Sequence, residues 1–150
     1  MQYWLMKSEP DAFSIDDLAR VNIEPWDGVR NYQARNMLRD QMQVGDQVFF
    51  YHSNCDVPGI VGIAEIAKAG YPDDTACNPD AKYYDPKSTS ENPRWYRVDV
   101  KFVRKLKRTI SLNELKVHPA LTEMPLVRKG NRLSVMLVAS QHWHDILGLE

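Results

Sequence analysis

The sequence has few cysteines, no long apolar run and almost no net charge. Its two cysteines, Cys55 and Cys77, form no Cys-x-x-Cys motif, so neither a disulfide nor a zinc or redox motif is indicated. No run of about 18 apolar residues occurs, so no membrane-spanning segment is predicted. Met1 to Trp4 lack the basic start and apolar core of a secretory signal. We therefore expect a cytosolic protein.

The net charge of −1 argues against a strongly cationic protein that binds polyanions through salt-dependent attraction alone. Two local basic clusters are nevertheless present, with five cations in residues 101–108 and three in residues 128–132. Either cluster could lie along a phosphate backbone, or it could be a solvated strand or loop. The 150 residues, 43% of them apolar, suit a single domain spanning 1–150.

Patterns that carry catalysis are also missing. There is no Gly-x-Ser-x-Gly motif and no glycine-rich phosphate loop. His52 and Ser53 are adjacent in a predicted strand, so their side chains should point to opposite faces rather than act together as base and nucleophile. His142 and His144 should face apart on a helix, which leaves too few ligands for a metal. No catalytic residue, metal or cofactor is predicted.

Hydrophobic periodicity and turn signals predict the order β, α, α, β, β, long loop, β, α, β, α. Adjacent short strands with tight turns indicate an α+β fold with a mostly antiparallel, strongly curved sheet, best described as a small open barrel flanked by short helices. Ser14, Ser111 and Ser140 are predicted to cap helices. Strands are predicted at residues 2–7, 47–53, 60–67, 96–102 and 133–138, helices after 14, at 31–42, after 111 and at 140–147, and an irregular loop at 70–94.

One group of residues combines aromatic, cationic and short polar side chains beside Pro or Gly. Trp26 lies between Pro25 and Asp27-Gly28 in a turn composition that could hold its indole at a pocket rim, although a tryptophan often simply fills a core. Lys7 and Ser8 end the first predicted strand, where a pocket mouth would be. A flat, polar, aromatic ligand needs such a set, since an indole stacks on a ring while polar groups bind its edge.

Three further residues extend this set. Tyr51 and Ser53 are predicted to share one face of a buried strand. Asn31 opens a helix, where its amide either caps that helix or binds the edge of a ring. The sequence therefore predicts a module that binds a nucleobase.

Five motifs of the chain resemble the EVE domain family, and together they cover almost its whole length. The chain is most similar to the compact, stand-alone bacterial members. The motifs are Trp4-Leu5-Met6-Lys7-Ser8-Glu9-Pro10, Trp26 to Asn36 (WDGVRNYQARN), Phe49 to Asn54 (FFYHSN), Pro58 to Gly62 (PGIVG), and Tyr84-Asp85-Pro86-Lys87 with Asn92-Pro93-Arg94-Trp95.

The resemblance implies a PUA-like fold and a relationship to the YTH domains that bind methylated adenine in RNA. Eukaryotic members of the family are associated with modified cytosines in DNA. The implied function is that of a non-catalytic reader, which holds a modified and extruded base of DNA or RNA in a pocket. Which modification and which polymer are bound stays open.

The resemblance also implies roles for individual residues. Trp26 falls at an aromatic wall and Lys7 and Ser8 at the edge of the pocket, while Asp27 stands where YTH relatives carry a small polar residue. Trp95 is a candidate second aromatic wall or the first core residue of its strand. The full predicted pocket is Trp26, Lys7, Ser8, Asn31, Tyr51, Ser53, Asp27 and Trp95, and the predicted phosphate ligands are Arg30, Arg35, Arg104 and Lys105.

Two other classes of function stay open. One is a small enzyme acting on nucleotides, with His52 or Lys7 as the acid–base group. The other is a protein-interaction module that uses the long loop at residues 70–94, because loops of this length are usually functional or mobile.

Overall fold

The computed structural model describes residues 1–150 and contains one six-stranded sheet. Its spatial order is β2-β5-β4-β3-β1-β6, and only the β1–β3 pair is parallel. The outer strands β2 and β6 do not pair with each other, so the sheet is open, as predicted. The strands are β1 Tyr3–Ser8, β2 Ile23–Pro25, β3 Gln47–His52, β4 Gly59–Pro72, β5 Tyr96–Ser111 and β6 Val135–Val138.

Short helices flank the sheet. They are α1 Ile15–Val21, α2 Tyr32–Asn36 with a π-helical turn Met37–Gln41 directly after it, α3 Leu112–Val117 and α4 Ser140–Leu147. Single 3-10 turns occur at Asp74–Cys77, Pro119–Leu121 and Pro125–Val127. No helix is both long enough and apolar enough to cross a membrane.

Two of the three predicted helix caps are confirmed. Ser14 accepts a hydrogen bond from Asp17 N, and the Asp17 carboxylate accepts one from Ser14 N in return. Ser111 caps α3 by accepting from Glu114 N. The prediction for Ser140 is wrong, because Ser140 is the first residue of α4 and the capping position belongs to Ala139, which has no side chain able to cap.

The central hairpin is longer than the sequence indicated. β4 continues to Pro72 and β5 to Ser111, and their pairing shifts register four times along its length. Each irregularity bends the hairpin and increases its twist, which produces the predicted curvature. The strand β2 was not predicted, since three residues are too few to show an alternating pattern.

Apolar side chains cover both faces of the sheet, as the alternation along each strand requires. Trp4 and Phe50 belong to a core cluster on one face, which also contains Trp26. Leu5 and Phe49, their neighbours in sequence, belong to a second cluster on the opposite face. Residues at the ends of β1 and β3 therefore reach different sides of the sheet according to their position in the alternation.

Candidate nucleic-acid interface

A cleft of about 800 Å³ opens at the end of β1, which is within the usual size range of ligand pockets. One wall is the segment from Glu24 to Arg30, which runs from β2 toward α2. The segment from Arg132 to Ser134, just before β6, contributes to another. Residues of the cleft used below are Lys7, Ser8, Glu24, Trp26, Asp27, Gly28, Arg30, Ser53, Tyr83, Arg132 and Ser134.

Trp26 both packs in the core and lines the cleft. Its ring meets Phe50 edge-on, with centroids 5.5 Å apart and planes at 87°. Trp26 N also donates to Val98 O at 2.7 Å, which fixes the backbone at this point. The residue keeps 9% of its surface accessible, on the side of the cleft. The indole is therefore held rigidly, with a limited surface available to a ligand.

The turn after Trp26 is fixed by the buried carboxylate of Asp73. This side chain accepts hydrogen bonds from Gly28 N at 2.9 Å, from Arg30 Nη1 at 3.0 Å and from Thr75 N at 3.0 Å. Burial alone would raise the pKa of Asp73, but the bonds from Thr75, Gly28 and Arg30 together lower it below its ordinary value. An ionised Asp73 thus connects the turn to the loop that follows β4.

That loop also forms part of the cleft wall. Gly28 has φ +79°, and a Cβ placed there would lie 2.9 Å from Tyr83 Cδ2. Arg30 Nε donates to Tyr83 O at 2.8 Å. Glycine is therefore needed at position 28 both for the left-handed backbone and for close packing of Tyr83. The predicted long loop folds against the Trp26 turn.

Two carboxylates lie beside Trp26 without a hydrogen-bond donor from another residue. The carboxylate of Glu24 makes no hydrogen bond or ion pair, and the shortest ion pair of Asp27 is 3.9 Å, to Arg97 Nη1. Burial raises the pKa of Glu24, and the charge of Asp27 adds to the effect. Burial likewise raises the pKa of Asp27, with a contribution from Asp73. The cleft therefore presents acceptor atoms that a ligand with N–H groups could satisfy.

The end of β1 contributes a cation and a hydroxyl. Lys7 is half-buried without a carboxylate within ion-pair distance, and burial lowers the pKa of its ammonium group. Ser8 Oγ donates to Phe13 O at 2.6 Å, so its lone pairs stay available to a donor. Ser53 also lines the cleft, and its backbone N–H donates to Ser8 O at 3.0 Å. Five of the predicted pocket residues, Trp26, Asp27, Lys7, Ser8 and Ser53, therefore line one cleft.

Three predicted pocket residues lie outside the cleft. Asn31 caps α2, where its Oδ1 accepts from Ala34 N at 3.0 Å. Tyr51 belongs to the core cluster on the opposite face, and because β3 ends at His52, strand alternation does not place Ser53 with it. Trp95 is buried, with its Nε1 donating to Asp85 Oδ2 at 2.7 Å and its ring stacked on Tyr32. Trp95 thus packs under the loop.

The four predicted phosphate ligands all pair with groups of the protein, which argues against that role. Arg30 binds Asp73 as described above, and Arg35 Nη1 donates to the backbone carbonyl of Arg94 at 2.7 Å. Arg104 makes two bonds of 2.8 Å to the carboxylate of Glu150. Lys105 Nζ lies 2.9 Å from Asp16 Oδ1. Spacing along the sequence could not reveal these pairings, since the partners are distant in sequence.

His52 is engaged in the fold rather than in a catalytic arrangement. Its Nε2 accepts a hydrogen bond from Ile15 N at 3.1 Å, and burial lowers its pKa. That bond satisfies one of the free N–H groups at the start of α1. No group of three or more His, Cys, Asp or Glu side chains is placed to hold a metal ion.

The cleft residues that were not nominated from the sequence include Glu24, Tyr83, Arg132 and Ser134. Arg132 was visible only as a member of the basic cluster at 128–132, and Tyr83 only as part of the long loop. Glu24 precedes Trp26 by two residues in the unpredicted strand β2, so recognising that strand would have placed it beside the indole. Nothing in the local sequence pointed to Ser134.

Comparison with known proteins supports a single family. The EVE domain family matches residues 2–149. Human thymocyte nuclear protein 1 is 45% identical over 167 residues, an alignment that covers 99% of this chain and 73% of that protein.

Solved structures agree with this match. The crystal structure of a Pseudomonas syringae protein, 54% identical, superposes with a TM-score of 0.95 and covers 98% of both chains. The crystal structure of human THYN1 in complex with DNA containing 5-methylcytosine is 43% identical, with a TM-score of 0.94, and covers 99% of this chain and 97% of that chain. Both likenesses extend over the whole sheet and its helices.

Proposed function

The chain belongs to the EVE domain family, and from that premise we propose that it is a non-catalytic reader that holds a modified cytosine of a nucleic acid in the cleft beside Trp26. The observation that carries the proposal is the rigid indole at the wall of the cleft, flanked by the acceptor groups of Glu24 and Asp27. The THYN1 complex with DNA containing 5-methylcytosine supports a ligand of this class.

Trp26 supplies the stacking surface in this proposal. Stacking of a base on an aromatic side chain contributes about 1–3 kcal/mol. The edge-on contact with Phe50 and the hydrogen bond to Val98 hold the indole in place before the ligand arrives. Little conformational entropy is therefore lost at the indole when the base binds.

The edge of the base is bound by acceptors. Cytosine presents an exocyclic amino group at position 4, and a carboxylate is the usual protein partner of that group. No other residue donates a hydrogen bond to the carboxylates of Asp27 and Glu24, so both can accept from a cytosine amino group. The hydroxyl groups of Ser8 and Ser53 add further hydrogen-bonding capacity at the same wall.

Energetics favour a base that is already unpaired. Extruding a base from a duplex costs a few kcal/mol, which is about what one stacked base contributes. A net charge of −1 leaves little general attraction to the duplex to provide a surplus. We expect affinity to fall from single-stranded to mismatched to fully paired sites. A methyl mark that fills an apolar niche adds about 1–3 kcal/mol of discrimination.

The test is fluorescence anisotropy with single-stranded oligonucleotides that differ at one position, carrying 5-methylcytosine, cytosine or thymine. We expect Trp26→Leu to weaken binding of the 5-methylcytosine strand about tenfold and to reduce its advantage over cytosine. The matched control is Tyr84→Leu, which removes an exposed aromatic that does not line the cleft. Equal affinities of Trp26→Leu and wild type, with both folded by circular dichroism, would refute the assignment of the pocket.

A second measurement separates a reader from an enzyme. The protein is incubated with modified nucleosides and oligonucleotides, and the products are analysed by mass spectrometry. Recovery of unchanged substrate is expected. Turnover that depends on Lys7 or His52 would replace the reader with a catalytic function.

A further inference from the structure

A second cavity of about 350 Å³ lies next to the cleft, on the other side of Lys7. Its apolar part is formed by Leu112, Leu126 and Val127, and Tyr51 also lines it. Its remaining lining is basic or polar: Lys7, Lys116, Arg128, Lys129 and Asn131. No carboxylate lines this cavity.

Most of these cations have no carboxylate partner in the protein. No carboxylate oxygen lies within 4.0 Å of the ammonium groups of Lys7, Lys116 or Lys129, whereas Arg128 forms a 2.6 Å pair with Glu123 at the surface. The four cations predicted as phosphate ligands are, by contrast, all engaged within the protein. Three cations without a carboxylate partner, Lys7, Lys116 and Lys129, therefore line this one cavity.

The cavity and the cleft are joined by shared structural parts. Lys7 lines both, and the segment from Arg128 to Ser134 passes from one to the other. Lys7 N donates to Ser134 O at 2.8 Å, which fixes this segment against β1. Asn131 shapes the turn, because its Nδ2 donates to Pro125 O at 2.7 Å and its Oδ1 accepts from Leu133 N at 3.0 Å.

We propose that the second cavity binds a backbone phosphate of the nucleic acid next to the nucleotide whose base occupies the cleft, a role that rests on the proposed function. Lys7, Lys116 and Lys129 neutralise the phosphate. This contact provides affinity without base specificity, so it explains how a protein of net charge −1 holds a polyanion.

The experiment is a salt titration of binding to single-stranded oligonucleotides, comparing wild type with the double variant Lys116→Gln, Lys129→Gln. Loss of one phosphate contact should reduce the slope of log K against log salt by about 0.7. The ratio of affinities for 5-methylcytosine and cytosine strands should not change. The control is Lys107→Gln, which removes an exposed lysine that lines neither the cleft nor the cavity.

A chemical change in the ligand locates the phosphate. A neutral methylphosphonate replaces one phosphate at a time on either side of the 5-methylcytosine. At one position wild type should lose affinity, while the double variant should show no further loss. The phosphate site is refuted if the double variant has the same salt slope and affinity as Lys107→Gln. It is also refuted if the double variant loses as much affinity as wild type at every methylphosphonate position.

The two proposals fail in different ways. If wild type prefers 5-methylcytosine and the double variant has the same salt slope as wild type, the phosphate site alone is overturned. A reduced slope in the double variant without any preference for 5-methylcytosine, and without an effect of Trp26→Leu, would overturn the base pocket alone. Absence of binding to every oligonucleotide would overturn both.

Discussion

Asp27→Asn tests how the cleft distinguishes bases. Thymine and 5-methylcytosine share a ring and a methyl group, but position 4 carries an oxygen acceptor in thymine and an amino donor in 5-methylcytosine. An ionised Asp27 accepts from the amino group and repels the oxygen. The asparagine amide can rotate to serve either base, so it should remove most of the discrimination.

The size of the discrimination expected in wild type follows from the exposure of the Asp27 side chain. A well-placed contact to a base edge is worth about 1–3 kcal/mol. The side chain of Asp27 is 48% exposed, so water competes and the lower part of that range applies. About 1–1.4 kcal/mol corresponds to a preference of roughly five- to tenfold for 5-methylcytosine over thymine in wild type. In Asp27→Asn we expect the affinities for the 5-methylcytosine and thymine strands to agree within about twofold.

The same substitution should stabilise the free protein. Because burial and the charge of Asp73 raise the pKa of Asp27, the folded state binds its proton more tightly than the unfolded chain does. The ionised carboxylate therefore costs stability above the raised pKa, and this cost disappears as pH falls below the ordinary value of 3.8. Asp27→Asn should melt higher than wild type at pH 7, with the difference vanishing at the acid end.

The assays are competition anisotropy with the two strands and thermal melts followed by circular dichroism from pH 3 to 7. Glu24→Gln serves as the matched variant, since its carboxylate also lines the cleft with a raised pKa. If Asp27→Asn keeps the full preference for 5-methylcytosine while Glu24→Gln loses it, the edge contact belongs to Glu24. If both variants keep it, carboxylate recognition is refuted.

Two further predictions concern ion pairs that stabilise the fold. Asp73→Ala removes a fully buried carboxylate and leaves Arg30 without its partner. We therefore expect the free energy of unfolding to fall by about 3 kcal/mol and the melting temperature to fall by about 6–12 °C. Binding of the 5-methylcytosine strand should also weaken. Glu150→Gln should destabilise the fold at neutral pH, because Arg104 and the N–H of Lys107 lower the pKa of Glu150 from 4.5 to about 2. That stabilisation should be present above pH 4.5 and lost as pH falls toward 2, so melts of wild type and variant should converge across this window.

Each of these outcomes can fail in a defined way. An Asp73→Ala protein with unchanged melting temperature would show that the turn is held by its other contacts. Melting curves of Glu150→Gln that stay equally displaced from wild type at every pH would show that its ion pair does not contribute through charge.

Features that depend on neighbouring residues were determined by the sequence itself. The caps at Ser14 and Ser111, the buried strand β3, the alternation in β5 and the curved α+β sheet were predicted, because caps and strand periodicity are short-range properties. The association of Trp26 with Lys7 and Ser8 was also predicted, through the motifs shared with a known family. The lengths of β4 and β5 were not, because bulges interrupt the alternating pattern.

Only the tertiary structure decided which charges are available to a ligand. Arg104 and Lys105 look the same in the sequence as Lys116 and Lys129, yet the first two meet Glu150 and Asp16 while the last two meet no carboxylate. The sequence specifies how many cations the protein has, but long-range packing determines which of them are already neutralised. For the same reason Tyr51 and Trp95 lie in packed interiors, and the free acceptors of Glu24 and Asp27 became visible only once the cleft had formed around them.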